Sequence, residues 1–167
     1  VLLLAVMAAS GSWALTFVVN STADLPDAIP GNNVCATATG VCTLRAAIQE
    51  ANAKSPSDTI TLPAGVFVLT LAGSGEDAAA TGDLDLKFPA TITGAGSSAT
   101  FIDGNAAGRV FHIFASVKLQ RLTVQGGDAT ADLGASCPQR GGALCVTATG
   151  AAGAAELSEV VLKGSKA

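Results

Sequence analysis

This sequence predicts a mainly β protein, a right-handed parallel β-helix (solenoid) with an N-terminal capping α-helix. Three observations predict it. The first is a short form that recurs four times: Ala90-x-Ile92-x-Gly94, Thr100-x-Ile102-x-Gly104, Leu122-x-Val124-x-Gly126 and Val160-x-Leu162-x-Gly164. The second is a phase slip inside VKLQRLTVQGG. Val117 and Leu119 share one face, the alternation breaks at Gln120-Arg121, and Leu122 and Val124 face inward again. Side chains on a strand alternate with period two, so a slip of one residue marks a corner between two short strands. The third is that CTLRAAIQEANA, Cys42–Ala53, is the only convincing helix in a chain of short strands and turns. Short faces, corners and closing glycines describe a coil, and coils stacked at roughly 4.8 Å make a solenoid. A β-sandwich would need longer strands with hairpin turns; the nearest hairpin candidate is Asp103-Gly104-Asn105.

Along the chain, the run VLLLAVMAAS is apolar but shorter than the roughly 20 residues that span a bilayer. Small residues at Ser12 and Ala14 follow, so residues 1–14 read as the remnant of a secretory signal peptide cut after Ala14, with its basic start missing. Residues 15–71 read as an N-terminal cap. TFVVN, 16–20, is a first strand, and residues 23–41, with Pro26, Pro30 and Gly31, are a loop. A helix over 43–53 follows. Leu44, Ala47, Ile48 and Ala51 form one apolar stripe, Thr43 is placed to act as N-cap, and Pro56 lies just beyond the end. Strands are expected at Thr59–Leu62 and Gly65–Leu71, then a flexible loop over 72–82. Asn20-Ser21-Thr22 is a glycosylation sequon within strand-like sequence.

Residues 72–167 read as the first β-helix coils. One coil fits between Gly104 and Gly126. Between Gly126 and Gly164 there is room for a coil plus an insertion, DATADLGASCPQR. Each coil buries its inward aliphatics on its neighbours, so the first would expose an apolar end and an unpaired strand edge. The helix has the right stripe to cover that end. The last coil has no polar cap after it, so further coils are expected to follow in a longer chain.

Composition narrows the function. Charged residues are 13%, hydrophobic residues 49%, and the formal net charge is −4 with no basic cluster, which argues against a nucleic acid or an anionic membrane as partner. Beyond the signal remnant, no stretch could cross a membrane as a helix. In an exported chain, four cysteines favour disulfides. Nearest-neighbour pairing would join Cys35 to Cys42 and Cys137 to Cys145, and the other two connectivities stay open. A zinc site is the weaker reading, since no CxxC spacing occurs and the single histidine, His112, is remote.

CTLRAAIQEANA, followed by DTITLPAGVFVLTL, GDLDL, TITGAG, FIDGN and LTVQGG, resembles the CSLREA-domain proteins, bacterial exported proteins with a pectin-lyase-like right-handed parallel β-helix. The resemblance spans roughly residues 16–167. Cys42, Leu44, Arg45 and Ala47 match the naming motif, Thr43 replaces its serine, and Ala46 replaces its glutamate. That glutamate would complete a capping box, so its absence is expected to weaken the helix by about 0.5–1 kcal/mol. The resemblance implies a secreted or surface location and no assigned reaction.

Gly94–Ala99, GAGSSA, mimics a dinucleotide fingerprint, but a strand and turn follow where the fingerprint needs a helix. His112, between Phe111 and Ile113, is expected on the solvent side; no GxSxG accompanies it. Asp83 and Asp85 share one face of a strand and could bind calcium, with Glu76 and Asp77 nearby. With Asp103 they could instead serve glycoside chemistry, and Arg109, Lys118 and Arg121 are the basic residues a lyase would have at hand. The plainer reading is a polar outer face and a turn aspartate. Arg45 is expected to pair with Glu50 or Asp24 in a structural role. The reading adopted is non-enzymatic: a rigid rod for adhesion or surface interaction, with surface glycans or cell-surface proteins as partners and no cofactor beyond that calcium. The alternative is a carbohydrate-active enzyme, lyase or hydrolase.

Overall fold

The computed structural model describes residues 13–53, 57–130, 141–147 and 154–166. Most of the expected signal segment, Pro56 and Cys137 lie outside these residues. The described chain is mainly β. In order it runs β1 (Thr16–Val18), α1 (Leu44–Ala51), β2 (Asp58–Thr61), β3 (Gly65–Val68), β4 (Leu84–Leu86), β5 (Ala90–Thr93), β6 (Thr100–Asp103), β7 (Phe111–Ile113), β8 (Val117–Gln125), β9 (Leu144–Val146) and β10 (Ala155–Lys163).

The named strand pairs are all parallel. One sheet runs β1-β2-β5-β8-β6-β3, with β10 alongside β8, and a second runs β4-β7-β9. The first sheet curls into a half-barrel because β8 serves two rows. Val117–Gln120 pairs with β5, whereas Thr123–Gln125 pairs with β6. Between them Arg121 takes φ +54°, and Glu159 takes φ +56° at the matching place on β10. The expected corner at Gln120-Arg121 is therefore present as a left-handed residue, which turns the strand without ending it.

The stacking also sorts the repeated form. Leu122-x-Val124 and Val160-x-Leu162 lie in register on neighbouring strands, and Ile102 lies beside Val124. Ile92 instead lies beside Leu119, in the other row. The form marks the end of a short strand in either row, so the Ala90–Gly94 copy is not stacked on the other three. Two local causes produce its glycine. Gly126 has φ +64°, a conformation that costs other residues roughly 1–2 kcal/mol. A Cβ on Gly94 would instead collide with the Arg121 carbonyl of the next strand.

Inward positions form columns of aliphatics. Phe17, Ile60, Ile92 and Leu119 make one; Phe67, Ile102 and Val124 a second; Leu84 with Phe111 and Leu86 with Ile113 line the second sheet. All are buried, and each fully buried side chain of this size contributes about 1.5–3 kcal/mol. Leu157 and Leu162 continue two columns on β10 but are 42% and 45% exposed, because no described strand lies beyond them.

The helix differs from its expected form. It spans Leu44–Ala51 rather than 43–53, with Thr43 Oγ1 accepting from the Ala46 amide at 3.1 Å as the N-cap and Asn52 as the C-cap. It was expected to bury one stripe, yet all eight of its residues are buried. Its apolar side packs on β2 and β4. Its polar side is covered by the 23–41 loop: Gln49 Oε1 accepts from the Asp27 amide, and the Glu50 carboxylate accepts from the amides of Gly31 and Asn33. Cys35 and Cys42 are joined by a disulfide beside the helix. Cys145 is also disulfide-bonded.

Asn52 shows how the helix meets the strand edge. Its amide donates to the Asp85 carbonyl at 2.6 Å and accepts from the Lys87 amide at 2.9 Å. These are the two backbone groups that a further parallel strand beside β4 would engage. The side chain thus satisfies an edge that the second sheet would otherwise leave open. Among the described residues, no helix is long and apolar enough to cross a membrane.

Candidate functional site

The most unusual polar cluster lies on the outer face of the second sheet, under the loop between β3 and β4. Arg45 builds its roof. This side chain is fully buried and faces Asp24, Nε to Oδ1 at 2.6 Å and Nη2 to Oδ2 at 3.2 Å. Its remaining donors go to the carbonyls of Ala79 and Gly82, at 3.1 and 2.8 Å. Gln49 adds a second bond to the Ala79 carbonyl. Asp24 also accepts from the amides of Thr70 and Leu71. Of the two expected partners of Arg45, Asp24 is therefore the right one, and Glu50 holds the preceding loop instead. The 72–82 segment, expected as a flexible loop, is pinned to the helix. Glu76 shapes it further by accepting from the amides of Ala78 and Thr81.

Strand alternation sends Asp85 outward from β4 while Leu84 and Leu86 point in, as the sequence implies. The loop then folds over it, so Asp85 is fully buried. His112, its register partner on β7, is 5% exposed. The expectation of a solvent-side histidine is corrected here: His112 does sit on the outer face, but that face is roofed. Phe114 lies on the same face, with ring centroids 3.9 Å apart.

Asp85 Oδ2 accepts from the Ala79 amide at 2.9 Å. Asp85 Oδ1 is buried without a hydrogen-bond partner, 3.4 Å from His112 Nδ1. Burial pushes the Asp85 carboxyl above its ordinary range, while His112 and the Ala79 amide pull it back. Asp77, on the loop, places Oδ1 3.8 Å from the same Nδ1 and is exposed. On the far side of the ring, His112 Nε2 lies 3.1 Å from Thr147 Oγ1. Two carboxylates and an imidazole thus converge at one point, an arrangement that can hold a proton or a cation.

The other residues singled out in the sequence are placed differently. Asp83 does not join Asp85 in a common pair; its Oδ2 accepts from Arg109 Nη1 at 3.3 Å, while Asp85 turns to His112. Asp103 accepts from Gln125 Nε2 and from the Asn105 amide, the contacts of a turn aspartate. Lys118 and Arg121 pair with Glu156 and Glu159 on β10. The Gly94–Ala99 segment makes a tight turn, with Gly96 O accepting from the amides of Ala99 and Thr100, and leads into β6 rather than a helix. The sequence places Asp77 near Asp85 as a candidate ligand but gives no sign that His112 joins them. The signal available was the likeness of LDL and FHI, two short strands that pair in parallel with Asp85 beside His112.

No family model, curated protein or solved structure matches this chain.

Proposed function

We propose that this chain is the N-terminal cap and opening coils of a closed right-handed β-helix in a secreted or cell-surface protein, with a non-enzymatic role in adhesion or surface interaction. The observation that carries the reading is the junction of α1 with the strands. All eight helix residues are buried, and the Asn52 amide takes the place of a neighbouring strand at the edge of β4. Such a lid terminates a stack, and the parallel rows beyond it repeat in register as coils of a solenoid do. The likeness of Cys42–Ala47 to the CSLREA motif supports the same reading, including export and the pectin-lyase-like shape.

The role follows from what the coils offer. Their inward columns are packed aliphatics, and their outward faces mix polar positions such as Thr59, Thr91 and Lys118 with exposed apolar ones such as Val66 and Val161, suited to meeting surface glycans or cell-surface proteins. Asp103 and Asp83, the acids that a carbohydrate-active enzyme would need free, are engaged by Gln125 and Arg109. The test is incubation of the chain with pectin and related polyuronates, with and without calcium, while following unsaturated products and reducing ends. Unshortened polymer is expected in both conditions. Product release that disappears in Asp83→Ala would replace this reading with a polysaccharide lyase or hydrolase.

A further inference from the structure

We infer that Asp77, Asp85 and His112 form a binding site for a divalent ion of the zinc class, with Asp85 Oδ1, Asp77 Oδ1 and His112 Nδ1 as its protein ligands. The three ligand atoms lie within 4.8 Å of one another. Two of the separations, 3.4 Å and 3.8 Å, meet at His112 Nδ1. Ligands about 2.0–2.2 Å from a tetrahedral zinc sit roughly 3.3–3.5 Å apart, so the buried pair already has the needed spacing. Asp77 closes the remaining gap by a small movement of an exposed side chain.

A second, independent observation points to a ligand. Asp85 Oδ1 is fully buried, aims at the centre of the cluster and has no hydrogen-bond partner. A buried carboxylate oxygen normally has one, and leaving it without costs about 1–3 kcal/mol or more for a charged group. The other carboxylate oxygen is held by the Ala79 amide, so the side chain cannot turn away to find a partner without losing that bond. A cation at the meeting point supplies what Oδ1 lacks.

The surroundings match those of a metal-bound imidazole. A ligating histidine is oriented through its other nitrogen, and here Nε2 lies against Thr147 Oγ1 at 3.1 Å. With the proton on Nε2, the Nδ1 lone pair faces both carboxylates. A cation there takes the place of the proton that Nδ1 otherwise turns toward the carboxylates. Imidazole nitrogen with carboxylate oxygen selects zinc and its neighbours rather than calcium, which takes six to eight oxygen ligands. The ligand set and the metal class therefore differ from the Asp83–Asp85 calcium pair that the sequence suggested. Asp77 is 56% exposed, so the ion has a path of entry and a fourth position open to water.

The experiment is titration of the full chain with Zn²⁺ by calorimetry, with Co²⁺ absorption reporting geometry and nitrogen ligation. Binding of one Zn²⁺ per chain is expected, with a Co²⁺ spectrum in the visible of tetrahedral type. Asp77→Asn and His112→Gln are each expected to weaken binding by about tenfold or more. Asp83→Asn is expected to leave it unchanged. Asp77 is exposed, so its variant folds whatever becomes of the buried positions. Absence of saturable Zn²⁺ binding overturns the inference. So does binding that survives both Asp77→Asn and His112→Gln, or that is matched by Ca²⁺ at equal concentration.

Discussion

At the scale of single residues, Arg45 has the most demanding position. Its guanidinium is fully buried, fork-on to Asp24, with carbonyls from a loop more than thirty positions away filling its other donors. Removing one partner of a buried pair leaves an uncompensated charge and costs about 3–5 kcal/mol. Arg45→Met is therefore expected to lower unfolding free energy by that amount in urea titrations followed by circular dichroism. Arg45→Lys keeps the charge but not the planar fork, and should fall between. Equal stability of Arg45→Met and the parent would remove the guanidinium from the account of the fold. Half of this site was legible in the sequence. A charged residue beside an apolar stripe demands a nearby acid, and Asp24 was one of two candidates. The carbonyl contacts were not legible, because no side-chain pattern reveals where a distant loop will present its backbone. The same blindness hid the buried state of His112. Alternation placed it outward correctly, but only the loop, pinned by Arg45 and Gln49, makes outward mean covered.

At the scale of elements, the strands were the more legible part. Parallel rows need only short aliphatic faces, and the phase slip at Arg121 located a corner from alternation alone. The sorting of repeats between two rows was not legible, since Ala90-x-Ile92-x-Gly94 and its fellows obey the same local rule. The helix was legible in place and N-cap but not in environment, because covering its polar side takes a loop that has no periodicity. Its most specific contribution is Asn52. Asn52→Ala removes both contacts to the β4 edge, leaving the Asp85 carbonyl without its donor, for an expected loss of about 1–2 kcal/mol. Asn52→Asp keeps an acceptor for the Lys87 amide and loses the donor to Asp85 O, so it should retain part of the stability. Hydrogen exchange at the Lys87 amide separates the cases: faster in Asn52→Ala, near the parent in Asn52→Asp. Unchanged exchange in both would mean that the edge does not depend on this side chain.

At the scale of the whole molecule, the two ends of the stack are unlike. One end carries α1, the disulfide loop and the Asn52 contacts. The other, within the described residues, leaves Leu157 and Leu162 nearly half exposed on β10. If α1 is a lid, removing residues 15–58 bares Ile60, Leu84 and Leu86, and opens the backbone edges of β2 and β4 together. Unpaired edges flanked by apolar columns template pairing with other chains. The truncated chain is therefore expected to self-associate at concentrations where the parent does not, as seen by light scattering after size exclusion. A point variant guards against the objection that any large deletion aggregates. Ile48→Asp puts a charge at a fully buried helix position facing the strands, so it should loosen the lid while leaving every strand in the chain. Its association should be intermediate, and its hydrogen-exchange protection should fall first in β4 and last in β8, which is flanked by strands on both sides. A soluble, monomeric truncation with parent-like strand content would instead mean that the coils close their own end, and that the helix is a passenger on the stack.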